Sequence, residues 1–230
     1  ILESQRMARR VRLDLACTLS DAHGAGGRAI FEALERVYGV TGELDGYSFH
    51  GRTDPAIITD LATRWGASPD EVATRFDECL DTYLGILAAE VDGGRVDTLP
   101  GVPELVEALA AEPRAVLGLL TGNVARGAAM KLAPTGLAHL FTVGAYGSDS
   151  GLRPELPAVA VRRAEEATGR RFAGKEIVIV GDTPADIECG AALGVKAVAV
   201  ATGKHSVEEL AVYGPDHVFA DLRDWRRALA

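Results

Sequence analysis

Ile177-Val178-Ile179-Val180-Gly181-Asp182-Thr183-Pro184-Ala185-Asp186 is the stretch whose reading decides the fold. An unbroken run of β-branched apolar residues has no polar face, which marks a strand covered on both sides in a parallel sheet. Gly181 and Asp182 end that run. Thr183 then offers a capping hydroxyl, and Pro184 stands where a first helical residue can lack its N–H. The stretch therefore reads as strand, acidic turn, helix. Similar apolar runs occur at Val11-Arg12-Leu13-Asp14-Leu15, with the strand ending near Leu15, at Ala115 to Leu120, and at Val195 to Val200, with Val218-Phe219 as a fifth candidate. Helical stripes fall between them: Leu105, Val106 and Leu109; Val159, Ala160, Arg163 and Ala167; and Ile187, Ala191 and Leu193, closed by Gly194 at a helix C-terminal position. Alternating strands and helices predict an α/β fold with a doubly wound parallel sheet.

Residues 22–97 break that alternation. Ile30, Ala33, Leu34 and Val37 form one stripe, and Ile57, Ile58, Leu61 and Trp65 another. Ser68-Pro69-Asp70-Glu71 is a strong helix start, and Val72, Phe76, Leu80, Tyr83, Leu84, Leu87 and Val91 follow it at helical spacing. Amphipathic helices without a strand predict an inserted helical cap over 22–97, with a core of 10–21 and 98–230. Pro100-Gly101-Val102-Pro103 marks the return to the core.

The chain has 230 residues, enough for one large domain or a core with an insert, and its formal net charge is −9. An acidic chain without a basic stripe argues against nucleic acid as a partner. Arg6, Arg9, Arg10 and Arg12 cluster, but they run directly into a strand and read as a solvated terminus. No apolar run reaches the roughly 18 residues of a membrane span, and no apolar stretch follows the first arginines as a secretory signal would. Cys17, Cys79 and Cys189 are too far apart to suggest a disulfide framework or zinc spacing, so a reducing cytoplasm is the expected setting. Nothing in the sequence sets the oligomeric state.

Ligands of open α/β sheets bind at the carboxyl ends of strands. Three polar clusters fall at such ends: Asp14 to Thr18, Thr121 to Asn123, and Asp182 to Asp186. Carboxylates meeting at a sheet edge call for a cation. One of them beside a hard cation can attack phosphorus. A hydroxyl and backbone N–H groups after Thr121 suit phosphate oxygens.

With these motifs in order, the chain resembles the haloacid dehalogenase superfamily, in its phosphatase branch with a helical cap. The resemblance rests on Asp14-Leu15-Ala16-Cys17-Thr18-Leu19, Leu120-Thr121-Gly122-Asn123, Arg153-Pro154 and Gly181-Asp182-Thr183-Pro184-Ala185-Asp186. Gly51-Arg52-Thr53-Asp54 also resembles the cap segment of phosphoglycolate-phosphatase-like members. The resemblance implies a hydrolase of a small phosphorylated metabolite using Mg²⁺. Asp14 would be the nucleophile that forms an aspartyl-phosphate. Thr18, Thr121, Gly122, Asn123 and Arg153 would hold the phosphoryl group, with Arg153 in a place usually held by lysine. Asp14, the backbone carbonyl of Ala16 and Asp182 would bind the metal, with Asp186 as a further ligand or as the partner of one.

The chain departs from the family at Ala16, where an aspartate normally acts as general acid and base, and Cys17 replaces a glycine. A general acid/base contributes about 10²–10⁴-fold, so turnover should be impaired. Asp21, His23, His50, Arg52 and Asp54 are candidate substrate contacts or substitute acids, and each also reads as a structural or solvated polar residue.

Other readings remain open at this stage. Ala16 and Arg153 also fit phosphonoacetaldehyde hydrolases, which cleave a C–P bond through a cap lysine; the lysines here are Lys131, Lys175, Lys196 and Lys204, all outside 22–97. A phosphatase-like protein that binds phosphorylated ligands without turnover is another. Gly24-Ala25-Gly26-Gly27-Arg28-Ala29 with Asp45 loosely matches a dinucleotide fingerprint, but it lies too far from the first strand. Cys17 as a thiolate nucleophile would want Arg six residues on, where His23 stands. Taken singly, the Thr121 segment is also a turn for positive-φ residues, and the Asp182 segment a capped helix start.

Overall fold

The structure, a computed structural model, describes residues 12–16, 19–94 and 96–228, and for 12–16 and 228 the backbone. Among these residues a six-stranded parallel sheet has the order β5-β4-β1-β6-β7-β8. Its strands are β1 (Arg12–Ala16), β4 (Ala115–Leu120), β5 (Val143–Ala145), β6 (Ile177–Gly181), β7 (Lys196–Val200) and β8 (His217–Phe219). A two-stranded antiparallel ribbon of β2 (Ser20–Asp21) and β3 (Asp97–Thr98) pairs Ser20 with Thr98 and Asp21 with Asp97 where the chain leaves and re-enters the sheet.

Strand alternation sends successive side chains to opposite faces, and each face has its own cluster. Leu120, Ile177 and Ile179 pack with Leu156, Ala160 and Ala164 of helix α6 (Leu156–Thr168) on one side. Leu117 and Val200 pack with Leu105, Val106 and Leu109 of α4 (Val102–Ala110) on the other. The doubly wound sheet expected from the sequence is thus observed. It includes the βα unit of the opening stretch: Thr183 accepts from the Asp186 N–H, Pro184 begins α7 (Pro184–Leu193), and Gly194 ends it at φ 63°.

Helices α1 (Ala25–Tyr38), α2 (Asp54–Arg64) and α3 (Pro69–Gly93) form a separate cluster around Ile30, Leu34, Ile58, Leu61, Tyr83 and Leu87. Their stripes are those the sequence showed, and Ser68 caps α3 as expected by accepting from the Glu71 N–H. Val124, from the start of α5 (Ala125–Leu132), joins this cluster from the sheet side. Gly101, at φ 82°, begins α4 where a Cβ would strike the Leu222 carbonyl, so the return to the core requires glycine.

Several elements differ from the sequence reading. The first strand runs to Ala16, one residue past the expected end. β5 was missed because three residues with a central glycine carry no periodicity, and β2 and β3 because two residues cannot show one. In α7 Ile187 is buried, but Ala191 and Leu193 are exposed; the other buried residues are Cys189, in the cluster of Ile177 and Ile179, and Gly190, which packs on Ala197 of β7. The Gly24 to Ala29 segment starts α1 after the short ribbon strand β2 and not after a strand of the main sheet, and Asp45 sits in a loop at φ 37°. The dinucleotide reading lacks its structural context. Cys17, Thr18 and the arginines at 6, 9 and 10 lie outside the described residues.

Leu34 is fully buried at the centre of the helical cluster. Leu34→Ala should lower stability by about 3 kcal/mol through lost burial and the residual cavity. Urea denaturation checks this, and a loss below roughly 1 kcal/mol would show that the stripe does not hold the cluster together.

Candidate functional site

A cleft of about 810 Å³ opens between the helical cluster and the carboxyl ends of β4 and β6; Thr121, Gly122, Asn123, Arg153 and Asp182 line its sheet side. The other wall carries Ile30, Phe31, Leu44, Phe49, His50 and Arg52. These residues meet because segment 51–54 docks into the sheet side. The Asp54 N–H donates to the Gly122 carbonyl at 2.8 Å, and the Thr53 hydroxyl donates to the Gly151 carbonyl at 2.8 Å. A Cβ on Gly122 would collide with the Arg52 carbonyl, and one on Gly147 with the Gly122 carbonyl. Gly122 is not at positive φ. It is glycine because backbone approaches it, which corrects the simple turn reading.

Asp54 anchors this contact. Its carboxylate is 4% exposed. One oxygen accepts from Asn123 Nδ2 at 2.9 Å; the other accepts from the Val124 N–H at 2.9 Å and the Tyr83 hydroxyl at 3.1 Å. Burial, then the Asp54 charge, push the Tyr83 phenol well above its usual range, so it stays a donor. Asp54, a candidate substrate contact from sequence, is spent on docking.

The Thr121 loop is held from both sides. The Thr121 N–H donates to the Ala145 carbonyl at 3.0 Å, the Asn123 N–H to the Thr121 hydroxyl at 3.2 Å, and the Gly147 N–H to the Asn123 carbonyl at 2.8 Å. Arg153 reaches the same mouth from the loop before α6, and its Nη1 would stand 3.2 Å from a Cβ on Gly122. Its Nη2 donates to Asp186 Oδ1 at 2.6 Å, with both side chains largely buried. The second Asp186 oxygen accepts from the Thr183 hydroxyl at 2.7 Å and the Thr183 N–H at 3.2 Å. Both oxygens of Asp186 are therefore engaged by Arg153 and Thr183. The capped-helix reading of this segment is also right, and it coexists with Asp182 on the cleft wall.

An oxygen-only ligand set suits Mg²⁺. Among the described residues, however, no group of three acidic, histidine or cysteine side chains gathers to hold a metal, and Asp182 is the one expected carboxylate ligand at the mouth. Asp14, the other carboxylate expected to bind it, is described only in its backbone.

β1 lies between β4 and β6, with Asp14 in register with Leu117 and Val178, and Ala16 with Leu119 and Val180. Asp14 is thus four residues short of the levels of Thr121 and Asp182, about 13 Å at roughly 3.3 Å per residue. The sequence reading expected Asp14 at the strand end; the residue of β1 nearest the mouth is Ala16.

The remaining candidates separate. His23 pairs with Asp97 at 2.9 Å, its N–H donates to Asp21 at 2.7 Å, and His23 and Asp21 are exposed. Arg52, on the cleft wall, donates to Asp60 at 2.7 Å and stacks over Tyr47. His50 lines the cleft near His205, and burial together with Lys204 lowers its pKa against the opposing charge of Asp182. Sequence reasoning missed Lys131. It lies one helical face along from Val124 and Ala128, the signal that could have found it, and it lines the cleft. Burial lowers its pKa, with Asp54 opposing.

A family model described as HAD-hydrolase-like matches residues 155–225, which include Asp182 and Asp186. Among solved structures, a protein from Haemophilus somnus, described as a predicted phosphoglycolate phosphatase, is 22% identical with a TM-score of 0.71, covering 96% of this chain and 98% of that one. CbbY from Rhodobacter sphaeroides, in complex with phosphate, is 16% identical with a TM-score of 0.74, covering 93% and 96%. A haloacid dehalogenase-like family hydrolase from Streptococcus pneumoniae is 19% identical with a TM-score of 0.62, covering 97% and 100%. No curated protein gives a significant sequence match.

Gly122→Ala should push segment 51–54 off the sheet side. Hydrogen exchange at residues 50–58 should rise markedly over wild type while β6 keeps its protection; unchanged protection at 50–58 would show that the close approach is not maintained in solution.

Proposed function

We propose that this chain, a haloacid dehalogenase-like hydrolase by fold and family match, is a phosphatase-type enzyme acting on a small phosphorylated metabolite. The observation that carries the reading is the convergence of Thr121, Arg153 and Asp182, from three separate loops, on one cleft beneath docked segment 51–54. Residues 22–97 act as the cap, and 10–21 with 98–230 as the core. Arg153 is forked, permanently charged and aimed by Asp186, so it suits a phosphoryl group. The Thr121 hydroxyl and the backbone of Gly122 and Asn123 complete the phosphate cradle. Asp14 is the nucleophile of this reading, a role resting on motif order. Mg²⁺, held through Asp182 and the Asp14 to Ala16 segment, would offset charge on the attacked phosphoryl group. The cap excludes water once it is down.

A second reading has specific support. Ala16 removes the general acid/base, and the register of β1 keeps Asp14 below the mouth. Both favour a protein that binds phosphorylated ligands and turns them over slowly or not at all. The phosphatase reading expects phosphate release from a panel of phosphomonoesters with Mg²⁺, abolished by EDTA and by Asp14→Asn. It also expects Ala16→Asp to raise turnover by about 10²–10⁴-fold. Release that survives Asp14→Asn would rule out the aspartyl-phosphate route. No release from wild type or from Ala16→Asp, with phosphate still bound, would establish the binding reading.

A further inference from the structure

We infer that Lys131 is a second anion-binding cation of the cleft, held there by cap residue Asp54 acting through Asn123. This rests on reading the cleft as a phosphate-ester site. Lys131 comes from helix α5 on the sheet side, and its ammonium ends at the cap boundary, 2.8 Å from where a Cβ on Gly26 would stand. Among the described residues its one hydrogen bond is to Asn123 Oδ1, at 3.2 Å. An ammonium has three donors, so others are left for a ligand. A half-buried cation with a single neutral partner carries a desolvation cost that an oxyanion would offset.

The Asn123 side chain has its direction set by the cap. Its Nδ2 donates to Asp54, so its Oδ1 faces the lysine. Asp54 makes no ion pair with the ammonium; its oxygens accept from Asn123, Val124 and Tyr83. Removing the Asp54 charge frees the amide to turn its NH₂ toward Lys131, which would displace the ammonium. The same Asn123 donates its N–H to the Thr121 hydroxyl, so the lysine stands beside the phosphate loop. Asp54 is then a positioning residue, and cap docking and anion affinity are linked through one amide.

Calorimetric titration with inorganic phosphate tests this on wild type, Lys131→Met, Lys131→Arg, Asp54→Asn and the double variant Asp54→Asn/Lys131→Met, each checked for a wild-type melt. Lys131→Met should weaken phosphate by about tenfold, the scale of one charge-assisted contact, and Lys131→Arg should recover part of that. Asp54→Asn should weaken phosphate several-fold in wild type and not further in the Lys131→Met background. Should Asp54→Asn melt early, Asn123→Ser cuts the same link from the core side. Wild-type affinity in Lys131→Met, or additive losses in the double variant, would overturn the inference while leaving the phosphate site standing. A wild type that binds no phosphate removes that site and the inference with it. Borohydride fixation of phosphonoacetaldehyde on Lys131 would also overturn it, by showing an imine-forming amine in place of an anion-binding one.

Discussion

The cleft exists because a buried carboxylate must be satisfied. Asp54 sits where water does not reach, and an ionised oxygen there is tolerated only with donors aimed at it. Those donors come from both sides of the boundary: the Tyr83 hydroxyl from the helical cluster, and Asn123 and the Val124 N–H from the sheet side. Removing one donor while the contact stays closed would leave the charge undercompensated, which costs several kcal/mol for a buried group. The small residues around it follow from the same constraint. Gly122 is bare because the Arg52 backbone of the docked segment fills the space of its side chain, and Gly147 because the Gly122 carbonyl fills its own.

Much of the fold was legible because its signals are local. Apolar runs at 115–120 and 177–181 lie inside a parallel sheet, and such strands need no partner information to be recognised. Ser68-Pro69 and Thr183-Pro184 place helix starts through capping chemistry that acts within four residues. What escaped was either too short to show a period, as in β2, β3 and β5, or set by packing between distant parts, as in the exposed face of α7.

The candidate site shows the same division. Motif order located the Thr121 loop and Asp182, each just after a strand whose end faces the cleft, and Arg153 by its place before Pro154. The partners of those residues could not be read. Asp54 read as either a substrate contact or a structural residue, and only the docked structure shows its donors. Lys131 was set aside for lying outside the cap, yet a core helix can present an amine to the cap as readily as the cap itself can. The level of Asp14 is likewise a matter of register between strands far apart in sequence, on which residues 10–21 alone are silent.

Asp186 serves two structures at once. It closes the capping box of α7 with Thr183, and it holds the Arg153 guanidinium at 2.6 Å. Helix stability and the placement of the site cation therefore depend on one side chain. A substitution at 186 cannot be neutral for either, and a change at Thr183 would reach the arginine by freeing its anchor. Arg153, Thr183 and Asp186 therefore act as one unit, in which a change at any position is felt at the other two.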